Sequence, residues 1–263
     1  MSELPLPEGP ILLLAPHPDD ETIGVGGLLS TWEADVWVVV VTAGDAFRWS
    51  LQHAWPGPAA RLALGSDRLH EARLATARLG VPPGRVILLG FPDDGLAALM
   101  GAHWSVLYRS AATGVCAVPY PAALAPGTPY TGEALQDLLS SLIEQIRPAS
   151  VLAPGPLDSH ADHRALSRLA RQLVSPERLF YYPADGRLTW PFPKGLHPDW
   201  SLEPPPAYGD APWRRIPLSP QARASKRAAL EAHASQLGLL APALYAYIRR
   251  NELLLPATAL DGP

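Results

Sequence analysis

The sequence predicts an α/β fold with a mainly parallel sheet and helices on both of its faces. Short apolar segments alternate with longer segments of helical periodicity, which is typical of βαβ units. The runs ILLL at residues 11–14 and VWVVVV at residues 36–41 are also apolar on both faces. Central strands that are covered by helices on either side have this composition. The expected architecture is therefore Rossmann-like, with a proline-rich extension at the C-terminus.

The elements follow one another in a regular order along the first two thirds of the chain. The pattern predicts strands at residues 11–15, 36–42, 85–89, 150–153 and 179–182, and helices at 21–33, 67–79, 131–146 and 162–173. Gly80 ends the second helix, and the third ends before Pro148. Further on, Ser219 and Pro220 form an N-cap and first-turn pair, which predicts a helix to about residue 235. A second short helix is predicted over residues 242–249.

The length and composition predict one domain of ordinary size. The chain has 263 residues, of which 48% are hydrophobic and 17% are charged. We expect residues 1–185 to form the α/β core and residues 186–263 to form a proline-rich segment followed by helices. Proline is frequent, with 31 residues in the whole chain, and it is concentrated between residues 190 and 220, which predicts a rigid, irregular connection there.

Charge and cysteine content exclude several classes of function. With 21 basic and 25 acidic residues and no block of like charge, the chain has no general attraction to nucleic acid or to anionic lipid. The N-terminus lacks the features of a secretion signal, and no apolar run is long enough to cross a bilayer, so we expect a cytoplasmic protein. Cys116 is the only cysteine, so any metal must be held by histidine and carboxylate. The sequence leaves open whether the chain forms a homo-oligomer.

Two segments concentrate residues with metal-binding and acid–base chemistry. APHPDDE at residues 15–21 follows the first strand, and HADH at residues 160–163 follows the fourth. In parallel sheets, ligands bind beyond the carboxyl ends of the strands, so the two segments can meet at one edge. His17, Asp20 and His163 supply the three protein ligands that a catalytic zinc site needs, and such a site keeps one position for water. Asp19 points away from these ligands and remains available as a base.

Taken alone, each of these segments has a simpler interpretation than a metal site. Asp19 and Asp20 would be favourable charges at a helix N-terminus, worth about 0.3 to 1 kcal/mol each. The glycines of GVGG at residues 24–27 resemble a dinucleotide-binding loop, but Leu29 stands where its third glycine would be. These glycines fit better as points where a helix approaches the sheet or the metal loop closely. The joint placement of two complementary segments after two separate strands favours the metal site.

The same segments resemble those of the LmbE-like, or PIG-L, family of zinc-dependent N-acetylsugar deacetylases. The similarity extends along nearly the whole chain. It includes TAGD at 42–45, RLHEA at 68–72, LGFPDDG at 89–95 and, near the C-terminus, Lys226, Ala229-Leu230, HASQ at 233–236 and RNEL at 250–253. APHPDDE and HADH are the most specific of these motifs.

The resemblance implies a role for each residue of the two main motifs. His17, Asp20 and His163 would bind zinc, although iron or cobalt suits the same ligands. Asp19 would be the general base that acts on the metal-bound water. His160 would stabilise the oxyanion or protonate the leaving amine.

The resemblance also implies roles around these residues. Asp162 would orient His160, although a helix-capping role explains it equally well. Arg68 and Asp94, the second acidic residue of LGFPDDG, would hold sugar hydroxyls or an attached group. Some members of the family carry a tyrosine where this chain has Asp158, so any role of that tyrosine must fall to another group or be absent.

The implied function is a metal-dependent hydrolase that removes acetyl from an N-acetylglucosamine-type group and gives a free amine and acetate. Its partner would be a small N-acetylated sugar or glycoconjugate. The alternative is a non-catalytic sugar-binding relative that retains the metal site, but a binding module has no need for Asp19. A third hypothesis is a nicotinamide-dependent oxidoreductase, which is suggested only by the glycines and the parallel sheet.

Overall fold

A computed structural model describes residues 6–32, 35–47, 57–184 and 189–260, and within them seven strands form one mixed sheet. The strands are β1 (Ile11–Ala15), β2 (Val36–Thr42), β3 (Val86–Phe91), β4 (Ser150–Pro154), β5 (Leu179–Tyr182), β6 (Arg214–Pro217) and β7 (Asn251–Pro256). Their order is β3-β2-β1-β4-β5-β7-β6. The first five are parallel, and β7 runs antiparallel to both β5 and β6. The predicted α/β class is therefore confirmed.

The helices surround this sheet. They are α1 (Asp20–Leu29), α2 (Pro58–Arg78), α3 (Leu96–Leu99), α4 (Gly132–Ile146), α5 (Ala161–Leu173), α6 (Pro220–Leu230) and α7 (Ala234–Tyr245). The predictions for α4 and α5 agree with the structure to within one residue. The Thr131 side chain caps α4 by accepting a hydrogen bond from the Ala134 amide. The helix ends at Ile146, and its C-cap Arg147 has a left-handed backbone, with φ of 48°, just before Pro148.

Several predicted boundaries were wrong. The first helix was expected to reach residue 33, which lies outside the described residues, but α1 already ends at Leu29. The second was expected to begin at residue 67, whereas α2 begins at Pro58, because proline at the first helical position has the φ that a helix needs. The third strand was expected at residues 85–89, but it is displaced towards the C-terminus, at Val86–Phe91.

The C-terminal part differs most from expectation. The helix predicted over residues 220–235 ends at Leu230, and α7 begins at Ala234 after a short turn. The helix predicted over 242–249 was wrong, since Pro242 lies inside α7 rather than at a helix start. Strands β6 and β7 were not predicted, and they make the sheet mixed at that end. The predicted boundary at residue 185 falls in residues 185–188, outside the described part of the chain, and the division of the domain there stays a prediction.

Helix α1 approaches the sheet closely through its glycines. A Cβ atom at Gly24 would overlap the ring of Tyr182 in β5, and one at Gly27 would overlap Leu218. Tyr182 also donates a hydrogen bond to the Leu14 carbonyl in β1. The glycines thus serve close packing, as the sequence interpretation favoured. In the part of the chain that is described, no helix combines the length and apolar character that crossing a membrane requires.

Candidate metal centre and active site

The two chemical segments leave the sheet side by side. Strand β1 pairs in parallel with β4, with Ile11 opposite Ser150 and Leu13 opposite Leu152. The loop after each strand therefore emerges at the same carboxyl-terminal edge, where it leads into α1 or α5. The side chains that the sequence placed on separate loops are brought together there.

Three nitrogen and oxygen atoms converge at this edge. His17 Nδ1 lies 3.1 Å from Asp20 Oδ2 and 3.1 Å from His163 Nε2, and the latter two atoms are 3.2 Å apart. All three side chains are buried. A tetrahedral zinc ion at its usual bond lengths of about 2.0 to 2.2 Å would hold its ligand atoms roughly 3.3 Å apart. The triangle therefore has the size and the donor chemistry of a zinc site.

Each histidine of the triangle has a carboxylate on its other ring nitrogen. His163 Nδ1 lies 2.9 Å from Asp158 Oδ2, and His17 Nε2 lies 3.1 Å from Asp93 Oδ1 and 3.4 Å from Asp162 Oδ2. Metal-binding histidines usually have such a partner, which fixes the tautomer and the orientation of the ring. The structure thus surrounds the triangle with the outer contacts of a metal centre.

The electrostatics of the cluster favour positive charge at its centre. Burial lowers the pKa of His163, but Asp20 and Asp158 outweigh burial and raise it to about 10. Burial also opposes the charge on His17, yet its contact with Asp93 raises its pKa well above the usual range. Burial raises the pKa of Asp20, but His163 and His17 together lower it well below its ordinary value. A divalent cation would supply the positive charge that these carboxylates stabilise.

Asp19 lies beside the cluster with an unusual backbone conformation. Its φ is 140° and its ψ is −25°, and its side chain retains 14% exposure, compared with 4% for Asp20. Burial is the main cause that raises its pKa to about 7, against the lowering effect of Arg68, whose Nη2 lies 3.6 Å from Asp19 Oδ1. A carboxylate with these properties can accept a proton near neutral pH.

His160 faces the same space from the start of α5. Its ring centroid lies 4.6 Å from that of His17 and 5.0 Å from that of His163. Its Nδ1 accepts a hydrogen bond from the Asp162 amide, so the neutral ring carries its proton on Nε2. Burial, followed by the two neighbouring histidines, lowers the pKa of His160 to about 4. Asp94 Oδ1 lies 3.7 Å from His160 Nε2, and the Asp94 side chain is about half exposed at 49%.

Comparison with known proteins places this site in a family. Residues 12–174 match the family model described as PIG-L: GlcNAc-PI de-N-acetylase. The chain belongs to the PIG-L family. The match begins in β1 and continues past β4, so it includes both motifs and the loops that build the cluster.

Individual relatives agree with the family assignment. A 1D-myo-inositol 2-acetamido-2-deoxy-α-D-glucopyranoside deacetylase of Tsukamurella paurometabola is 28% identical over 279 aligned positions, covering 94% of this chain and 89% of the relative. The N,N'-diacetylchitobiose deacetylase of Pyrococcus horikoshii has the same fold, with a TM-score of 0.58 and 18% identity, covering 95% of this chain and 84% of the other. The conserved protein TT1542 of Thermus thermophilus gives a TM-score of 0.53 at 23% identity, covering 94% of this chain and 93% of the other.

Two residues of this PIG-L site were missed by sequence reasoning. Asp158 was noted only as the replacement for a tyrosine, and Asp93 was passed over in favour of Asp94. Both carboxylates are buried against histidines of the triangle. The available signal was that both lie in the loops that follow strands β4 and β3, at the edge of the sheet where the motifs converge.

Arg68 and Asp162 lie close to the cluster, but with other contacts than the sequence implied. Arg68 is buried and donates to the carbonyls of Gly44 and Pro18. Gly44 has a φ of 68°, and a Cβ atom there would overlap the Arg68 guanidinium. The Asp162 carboxylate faces His17 and accepts a hydrogen bond from the Leu96 amide at 3.0 Å. A sugar contact for Arg68 and Asp94, and an orienting role of Asp162 towards His160, stay predictions.

Proposed function

We propose that the protein is a metal-dependent deacetylase that hydrolyses the acetamide of an N-acetylglucosamine-type group to a free amine and acetate. The observation that carries this proposal is the triangle of His17, Asp20 and His163 with a separate, partly exposed carboxylate beside it. A site that only binds metal would have no use for Asp19, whose side chain takes no part in the triangle. Zinc is the proposed metal, and iron or cobalt suits the same donors.

When bound, the metal polarises the acetamide carbonyl and lowers the pKa of a coordinated water. Asp19 accepts a proton from the attacking water, and its raised pKa lets it hold that proton near neutral pH. The leaving nitrogen then needs one proton, which Asp19 can return. The carboxylate thus moves a proton from water to amine in the course of one turnover.

His160 stabilises the charge that develops on the carbonyl oxygen. Because its Nδ1 accepts a hydrogen bond from the Asp162 amide, its proton is on Nε2, which can donate to that oxygen. A neutral donor is sufficient for this role, and loss of one such donor commonly lowers turnover by ~100-fold to ~1000-fold. Since the acidic partners Asp158, Asp93 and Asp162 hold the rings of His163 and His17, the reacting groups keep a fixed geometry.

The proposed substrate class rests on the relatives together with the site. The names of the relatives from Tsukamurella paurometabola and Pyrococcus horikoshii both describe removal of acetyl from an N-acetylated glucosamine unit. Asp94 lies at the exposed side of His160, where it can accept hydrogen bonds from sugar hydroxyls. Glycolipid precursors, thiol-cofactor precursors and chitin-type sugars all carry the required group. A cytoplasmic location and homo-oligomer formation remain predictions.

The first test measures metal content and acetate release with purified protein. N-acetylglucosamine, N,N'-diacetylchitobiose and an N-acetylglucosaminyl-inositol are compared with an N-acetylated amino acid as the control. We expect acetate release from at least one sugar and none from the amino acid. Folded, zinc-loaded protein that binds an acetylated sugar without releasing acetate would instead support the non-catalytic relative.

The second test separates the base from the ligands. Asp19→Ala should keep zinc at wild-type stoichiometry and lose at least ~100-fold in kcat, because the proton acceptor is gone. His163→Ala should lose zinc as well as activity, because one donor of the triangle is gone. Near-native turnover of Asp19→Ala would show that another group accepts the proton.

A further inference from the structure

The peptide group that joins Pro18 to Asp19 is held at both its carbonyl and its amide by buried side chains. The Pro18 carbonyl accepts hydrogen bonds from Arg68 Nη2 at 3.0 Å and from Gln236 Nε2 at 3.4 Å. The Asp19 amide donates to Glu21 Oε2 at 3.0 Å. Arg68 belongs to α2, Glu21 to α1 and Gln236 to α7. Three helices that are distant in sequence therefore converge on one short stretch of backbone.

His233 holds Glu21 in turn. His233 Nε2 lies 3.2 Å from Glu21 Oε1 and 3.2 Å from Thr22 Oγ1, and the Thr22 hydroxyl donates to Glu21 Oε1 at 2.7 Å. Glu21, Thr22, His233 and Gln236 have no exposed surface. Because the other carboxylate oxygen of Glu21 accepts a hydrogen bond from the Asp19 amide, the Glu21 side chain links His233 to Asp19.

The start of α7 is itself fixed to α2. The amide and the hydroxyl of Ser235 donate to the two carboxylate oxygens of Glu71 at 2.8 and 2.7 Å. Ser235 lies between His233 and Gln236, so these bonds set the position of both. The HASQ segment at residues 233–236 therefore approaches the Asp19 loop as a rigid unit.

The backbone of Asp19 needs such support. A φ of 140° is strained for any residue with a side chain, and strained conformations persist only when the surrounding structure determines them. This conformation lets two consecutive aspartates diverge, so that Asp20 enters the triangle while Asp19 stays beside it. If Asp19 relaxed to a negative φ, its carboxylate would leave the position from which it reaches the attacking water.

We propose that His233, acting through Glu21, and Gln236, acting through the Pro18 carbonyl, are positioning residues that hold Asp19 in its strained conformation. This inference rests on the proposed function for its kinetic consequence, but its structural consequence is independent of that function. Neither residue contacts the triangle. Both act on the Pro18–Asp19 peptide group, His233 at its amide and Gln236 at its carbonyl, and the orientation of this group relative to α1 determines where the Asp19 carboxylate points.

Two variants of His233 that differ in one geometric respect test the proposal. In His233→Gln the amide nitrogen can occupy the place of Nε2 and donate to Glu21, whereas the shorter side chain of His233→Asn cannot reach that place. His233→Asn should lower kcat by about 10- to 100-fold with KM and zinc content unchanged, because a displaced base acts on a substrate that still binds. His233→Gln should recover most of this loss.

Further variants guard against general destabilisation. Gln236→Leu should lower kcat in the same way as His233→Asn, because it removes one of the two donors to the Pro18 carbonyl. Asn251→Leu is the control, since Asn251 is a buried amide that bonds to Leu202 and not to the Asp19 loop. It should leave kcat unchanged at temperatures where all variants are folded. Equal losses in Asn251→Leu and His233→Asn would overturn the proposal.

A double-mutant cycle and a crystal structure give readouts that a merely structural role would not change. In the Asp19→Ala background, His233→Asn should cost no further activity, because its effect passes through Asp19. The crystal structure of metal-free His233→Asn should show Asp19 at a negative φ. An unchanged φ together with full activity would overturn the positioning role while the proposed function stands. If the wild type hydrolyses no acetylated sugar, the proposed function fails, and the crystal structure still decides the positioning role.

Discussion

Among the residues near the site, Asp45 is a buried carboxylate with a pKa far from its ordinary value. Burial and the neighbouring Asp93 raise the pKa of Asp45 to about 6, against the lowering effect of the hydrogen bond that Tyr120 donates at 2.6 Å. Its folded-state pKa therefore exceeds its unfolded value of about 3.9. Between these two values the folded protein holds a proton that the unfolded chain has lost, so the stabilisation present at low pH disappears as the pH rises through 6.

Asp45→Asn should remove this pH dependence, because an amide does not titrate in this range. The free energy of unfolding of the wild type, minus that of the variant, should fall by about 2 kcal/mol between pH 4 and pH 7. Urea unfolding at a series of pH values measures this difference, in which groups common to both proteins cancel. Tyr120→Phe should move the fall to higher pH, since it removes a hydrogen bond that stabilises the carboxylate. A difference that stays flat with pH would contradict the prediction.

At the same scale, the residues of the triangle were predictable and their partners were not. His17, Asp20 and His163 belong to motifs in which the residue types themselves limit the chemistry, so the sequence was enough to expect that they meet. Asp93 is an ordinary acidic residue until the order of strands brings the loop after β3 against His17. Asp158 lies only five residues before His163, but nothing in its spacing indicates that its carboxylate faces that ring. Their contacts depend on side-chain directions that no local pattern encodes.

At the scale of elements, helix α1 is broken and is held together by a buried ion pair. Val25 has a non-helical φ of −139°, which leaves backbone groups on both sides of the break without their usual helical partners. Lys226 Nζ donates to the Ile23 carbonyl at 2.7 Å and to Glu252 Oε1 at 2.6 Å. Glu252 in turn accepts hydrogen bonds from the amides of Gly27 and Leu28. Side chains from α6 and β7 thus provide hydrogen-bond partners for backbone groups on both sides of the break in α1.

Lys226→Met should be strongly destabilising, because it leaves the Glu252 carboxylate buried without its cation. Breaking one half of a buried pair commonly costs about 3 to 5 kcal/mol. Urea unfolding at pH 7 measures this loss. Arg227→Ala is the matched control, since the adjacent Arg227 pairs with Glu231 at the surface, and it should leave the free energy of unfolding nearly unchanged. Similar effects of the two variants would show that the buried pair does not support α1.

The same elements show why the C-terminal part was harder to predict. Strands β1 and β2 are continuous apolar runs, so their composition is sufficient to identify central strands. Strand β7 is also buried, but its apolar run LLL at 253–255 is too short to be distinguished from a helix by periodicity. Its pairing with β5 joins residues about seventy-five positions apart in the chain, with Phe180 opposite Pro256. Tertiary pairing, rather than local preference, determines this strand.

For the molecule as a whole, the site joins parts of the chain that are far apart in sequence. His17 and His163, 146 positions apart, face each other across the edge of the sheet. His17 is held by Asp93 from the loop after β3, and His163 by Asp158 from the loop between β4 and α5. The sheet beneath them has a large apolar core that does not include the site. We therefore expect the fold to form without metal. Metal binding should mainly stabilise the loops that follow β1 and β4.

Zinc should accordingly stabilise the folded protein without being required for folding. A ligand that binds only the folded state stabilises it by about 2.7 kcal/mol at a free concentration of one hundred times its Kd. Thermal unfolding of chelator-treated protein should show a lower Tm than zinc-loaded protein, with the same far-ultraviolet circular dichroism before the transition. His163→Ala should abolish the zinc-dependent shift in Tm because it removes a donor, whereas Asp19→Ala should retain it. A shift that survives in His163→Ala would place the stabilising ion elsewhere, since the triangle would then lack one of its three donors.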